Sequence, residues 1–73
     1  MRIINRDLTR ERIVAYITNN QIYIKIWYKT HGKWVSEFYF QSYDWEIDSE
    51  MVNSTIEYVK RTWGLKNPKV IVN

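Results

Sequence analysis

IVAYITNNQIYIKIWYKTHGKWVSEFYF, residues 13–40, alternates side chains with a period of two around two clusters of turn formers, Asn19-Asn20 and Thr30-His31-Gly32. A period of two is that of a β-strand, and the β-branched and aromatic content fits a pleated, half-buried surface. Three antiparallel strands are therefore predicted at about 12–18, 21–29 and 33–41. Asn tolerates the positive φ of a two-residue hairpin turn, so Asn19-Asn20 closes the first hairpin with Ile17 opposite Ile22, Tyr16 opposite Tyr23, Ala15 opposite Ile24 and Ile13 opposite Ile26. Apolar side chains then meet on one face. Tyr16, Tyr23, Lys25, Trp27 and Lys29 lie on the other.

The second turn has two readings that send the third strand's side chains in opposite directions. A two-residue turn at His31-Gly32 places Glu37 among the isoleucines and Trp34, Phe38 and Phe40 on the basic face. A three-residue loop with Gly32 as a left-handed bulge shifts the pairing by one residue. Ile24 then faces Phe38, Ile22 faces Phe40, Tyr28 faces Trp34, Lys25 faces Glu37 and Tyr23 faces Tyr39. Burying a carboxylate among isoleucines costs several kcal/mol, so the three-residue loop is the expectation.

Outward from this unit, residues 41–47 read as a connection whose Trp45 and Ile47 close one end of the core. A helix is predicted over about 49–63. Asp48 or Ser49 caps it, Val52, Ile56, Val59 and Trp63 form one stripe, Lys60 and Arg61 suit the C-terminal end of the dipole, and Gly64 ends it. The β-branched run 69–72 predicts a short fourth strand, which a right-handed crossover through the helix would lay parallel beside the first, in the order 4-1-2-3. Residues 1–11 have no sustained period and read as an arm. The fold class is thus α+β: one small domain with a three-stranded meander, a helix packed on its apolar face and a C-terminal strand. Its predicted core is Ile13, Ala15, Ile17, Ile22, Ile24, Ile26, Tyr28, Trp34, Phe38, Phe40, Val52, Ile56, Val59 and Trp63.

A chain of 73 residues buries only about 60% of the surface its unfolded form exposes, and without cysteine there is no disulfide to reinforce it. Neither a membrane span nor a signal peptide is legible. A soluble cytoplasmic protein is expected, and the abundance of Ile, Asn, Lys and Tyr points towards an AT-rich genome, such as that of a low-GC bacterium or a virus. The net charge of +3 is unevenly spread: residues 1–35 carry seven basic side chains against two acidic, and the remainder four against six. An anionic partner should meet the N-terminal half.

Little here supports catalysis. The single histidine, His31, falls in a turn, and one histidine without cysteine does not make a zinc site. Asp44, Glu46, Asp48 and Glu50 lack the spacing and glycine of a calcium loop, and two glycines make no phosphate-cradling loop. No enzyme activity, metal or cofactor is expected. The informative residues are Arg12, Tyr16, Tyr23, Lys25, Trp27, Lys29 and Tyr39, an aromatic and basic lattice on the sheet face opposite the core, bordered on the third strand by Val35, Glu37 and Gln41. Aromatic rings among cations stack on bases and meet phosphates, and Arg2, Arg6, Arg10 and Lys33 add charge at the margin. In outline, three strands followed by a helix resembles the arm-type DNA-binding domains of phage integrases; no sequence motif accompanies the resemblance. A nucleic-acid-binding module is the leading expectation. The alternative is a protein-binding module using the same face, such as a phage or mobile-element inhibitor of a host or defence protein, since Tyr, Trp and Arg also dominate protein interfaces. Tyrosine rows stabilise sheets without any ligand, by about 0.2–1 kcal/mol per pair, and a homodimer through this face would enlarge a small core.

Overall fold

A computed structural model describes residues 10–73; residues 1–9, most of the arm, lie outside the described residues. The elements run β1 (Arg12–Ile17), β2 (Gln21–Thr30), β3 (Lys33–Ser42), α1 (Ser49–Trp63) and β4 (Lys69–Val72). They form a four-stranded sheet in the order β3-β2-β1-β4, with an antiparallel meander and β4 parallel to β1. This is the α+β arrangement expected. Among the described residues, no helix is long and apolar enough to cross a membrane.

Both ends of α1 are held by the predicted residues. The Met51 amide donates to the Asp48 carboxylate at 2.9 Å, satisfying one of the orphan amides of the first turn. At the other end Gly64 adopts φ 65°, its amide donates to the Arg61 carbonyl, and the Leu65 amide donates to the Lys60 carbonyl at 2.9 Å. These two bonds make a Schellman motif, which turns the residue after the glycine back towards the helix. Leu65 is accordingly buried in the core with Ile13, Ala15, Ile22, Ile24, Ile26, Val52, Ile56 and Val59. Thr55, the buried polar residue of the helix, donates its hydroxyl to the Met51 carbonyl at 2.8 Å. Ile17, Tyr28, Tyr39, Tyr43, Ile47 and Trp63 pack around this core. Trp45, expected to close one end, is instead 62% exposed and leans on the Tyr43 ring.

The two turns depart from expectation in different ways. At Asn19-Asn20 the register is as predicted, but neither asparagine has a positive φ. The later connection holds this turn: the Tyr43 amide donates to the Asn20 carbonyl and the Ile47 amide to the Asn19 carbonyl, both at 2.8 Å. At the second turn the three-residue loop is wrong. Thr30 pairs with Lys33, and His31 and Gly32 take φ of 52° and 78°, the signs a type I′ two-residue turn requires. Ile26 therefore faces Glu37, Ile24 faces Tyr39, Lys25 faces Phe38 and Tyr23 faces Phe40. Trp34, Phe38 and Phe40 leave the predicted core for the other face. Glu37 joins the helix side without being buried, because the outer strand's rim is open to solvent there. Its carboxylate accepts from the Tyr28 hydroxyl at 2.9 Å and the Trp63 indole at 3.0 Å.

β4 is clipped to the chain just before β1. The Lys69 amide donates to the Glu11 carbonyl at 2.8 Å, the Lys66 amide to the Glu11 carboxylate at 3.1 Å, and Arg10 Nε to the Asn67 carbonyl at 3.4 Å. Asn73 extends the pairing by exchanging backbone bonds with Ala15 and Ile17.

Candidate functional site

Directly paired strand residues share a face of a sheet, so the register defines the surface turned away from the helix. β4 contributes Lys69 and Ile71; β1 contributes Arg12, Val14 and Tyr16; β2 contributes Tyr23, Lys25, Trp27 and Lys29; β3 contributes Trp34, Ser36, Phe38 and Phe40. Six of the predicted site residues, Arg12, Tyr16, Tyr23, Lys25, Trp27 and Lys29, are brought together here. Tyr39 is not. It lies on the helix side opposite Ile24, half-buried with its ring 5.6 Å from that of Tyr58, and it is withdrawn from the site for that reason. Val35, Glu37 and Gln41 cross to the helix side with it.

The exchange changes the chemistry of the surface. In place of one tyrosine and a carboxylate, the face receives Trp34, Phe38 and Phe40, the two phenylalanines 54% and 55% exposed. The rings group into two clusters. Tyr23 lies 5.5 Å from Phe38, nearly parallel at 22°, and 6.0 Å from Tyr16; Trp27 lies 5.8 Å from Trp34 with planes 9° apart. These pairs lie on adjacent strands, at the spacing where aromatic neighbours are favourable. Of the strand residues on this face, Arg12, Lys25, Lys29 and Lys69 are cationic and none is acidic.

Between the clusters lies a hollow of about 300 Å³ lined by Arg12, Val14, Tyr16, Lys25 and Trp27. Arg12 Nε is withdrawn from solvent and has no hydrogen-bond partner among the described residues. A buried donor left unpaired costs about 1–3 kcal/mol, so a shift of the Arg12 side chain that brings Nε to an acceptor would be favoured.

A larger hollow, about 380 Å³, opens on the opposite side between β3 and α1, lined by Tyr39, Tyr43, Glu50, Met51, Ser54, Thr55 and Tyr58. The charged group on its wall is a carboxylate, which suits no anion. Burial first, then the neighbouring Tyr58 and Tyr43 phenols, holds the Tyr39 phenol above its ordinary pKa. Tyr28 is also raised, first by donating to the Glu37 carboxylate, then by desolvation and by Glu37's charge, with Trp63 acting in the opposite sense. Both shifts keep a phenol protonated at neutral pH, so neither produces a base.

The surface residues that the sequence reading missed are Trp34, Phe38 and Phe40, together with Val14, Lys69 and Ile71 from β1 and β4. The signal for the first three was present in His31-Gly32: glycine at the second position of a two-residue loop is the mark of a type I′ turn. Compared with protein-family models, with curated proteins and with solved structures, the chain finds no match.

Proposed function

We propose that this protein is a non-enzymatic nucleic-acid-binding module that works through the sheet face turned away from α1. The observation that carries the reading is the composition of that face: six aromatic rings and four cations, with no carboxylate contributed by its strands. Polynucleotides are recognised by this pairing of π-surface and positive charge, the rings meeting bases and the cations meeting phosphates. The acids of α1 and its cap, Asp48, Glu50 and Glu57, belong to the helix on the opposite side, which leaves the sheet face favourable to a polyanion.

The test is a titration of labelled single- and double-stranded DNA and RNA at low salt, followed by anisotropy. Binding should weaken steeply with salt, and Lys25→Ala with Lys29→Ala should lower the log–log slope by about 0.7–0.9 for each phosphate no longer neutralised. Absence of binding to all four at low salt refutes the reading. One observation favours a rival, a protein-binding module on the same face: Phe38 and Phe40 are more than half exposed and carry no polar group to meet a base edge or phosphate. That rival gains if a pull-down partner is retained at high salt and lost on Phe38→Ala.

A further inference from the structure

We infer, on the basis of the nucleic-acid reading above, that the ligand is a single strand held unstacked across the sheet, with one phosphate in the hollow between Arg12 and Lys25 and bases on the two ring clusters that flank it. Three features favour a single strand over an undistorted duplex docked by its major groove on this face. The first is width. Four strands place the outer pair about 14 Å apart before side chains are added, whereas a major groove about 12 Å wide admits a helix or a two-stranded ribbon. The second is the kind of side chain. Rings engage base faces, which a duplex covers by stacking its bases on one another, and Phe38 and Phe40 have no group to read a base edge.

The third is spacing. Tyr23 and Trp27, which anchor the two clusters, are four residues apart on one strand, or about 13 Å. Successive bases along one strand of a duplex are about 3.4 Å apart, so a stacked strand would set about three more bases between the two clusters, where β2 presents Lys25 and no ring. A strand drawn out between them instead carries its backbone over Lys25, which lies midway between the two on β2. Arg12 stands directly opposite Trp27 and Val14 directly opposite Lys25, so the hollow holds two cations over an apolar floor. Arg12 and Lys25 are the cations lining this hollow, and phosphate oxygens are their matching acceptors.

The experiment uses four ten-nucleotide probes: a thymidine strand, a uridine strand, a duplex, and a strand of abasic sugars with the same phosphates. The unmodified strands should bind at least tenfold more tightly than the duplex or the abasic strand, and should quench tryptophan fluorescence where the abasic strand does not. That quenching needs no variant and so does not depend on any mutant folding. Arg12→Gln should lower the salt slope on the thymidine strand by about 0.7, one phosphate. Trp27→Ala should weaken binding roughly ten- to hundredfold with the slope unchanged. Equal binding of the abasic strand, or tighter binding of the duplex, overturns this inference while leaving a nucleic-acid module standing. Failure of all four probes removes both.

Discussion

Phe38→Asp and Tyr39→Asp, a pair of neighbours on one strand, should have opposite fates. Phe38 is 54% exposed, so truncating it forfeits about half the value of a fully buried phenylalanine, roughly 1 kcal/mol, plus about 0.5–1.5 kcal/mol for its parallel stacking on Tyr23. An aspartate there stands directly opposite Lys25 and recovers about 0.2–1 kcal/mol of that. The net loss is about 1 kcal/mol, or a fall in Tm of roughly 4–8 °C for a domain of this size. Tyr39→Asp brings a carboxylate to the helix side, directly opposite the fully buried Ile24, and removes the ring packed on Tyr58. Half-burying a charge without a partner, together with the missing ring, costs about 3 kcal/mol or more. A 73-residue domain has about 4–11 kcal/mol in total, so this variant should melt at least roughly 12 °C lower or lose cooperativity. Thermal melts followed by circular dichroism decide the matter. If Phe38→Asp unfolds the protein while Tyr39→Asp melts near the parent, β3 is one residue out of register and the aromatic face described above does not exist.

The raised pKa of Tyr28 makes an alkaline prediction. A folded-state value above the unfolded one contributes stability that is complete below about pH 10 and lost as pH rises through the folded value. Tyr28→Phe should therefore flatten the decline of Tm above about pH 10 relative to the parent; parallel curves would show that the Glu37 carboxylate does not favour the neutral phenol. At the second turn, His31→Asn should raise Tm by several degrees, because Asn tolerates positive φ better than His, and His31 holds φ 52° next to Gly32. An unchanged or lower melt would mean that the His31 ring, 3.3 Å from the Thr30 hydroxyl, contributes as much as the backbone strain costs.

What could be read from the chain alone was whatever neighbouring residues settle between themselves. Alternation set the strands, Asp48 and Gly64 set the helix ends, and the isoleucines of β1 and β2 can meet on only one face, so the first hairpin's register was legible even though its turn type was not. The β-branched run at 69–72 and a right-handed crossover through the helix placed β4 beside β1. β3 was different because both of its faces carry large apolar or aromatic residues, Trp34, Phe38 and Phe40 on one and Val35 and Tyr39 on the other, so alternation could not rank them. The choice turned on the cost of burying Glu37, and that cost depends on tertiary position. β3 is the outer strand and its rim stays in solvent, where Glu37 is exposed and takes hydrogen bonds from Tyr28 and from Trp63 on the helix. With the penalty absent, the type I′ geometry of His31-Gly32 decides the register. Leu65 is the same lesson on a smaller scale: it reads as part of a link, and only the Schellman turn that follows α1 carries it into the core.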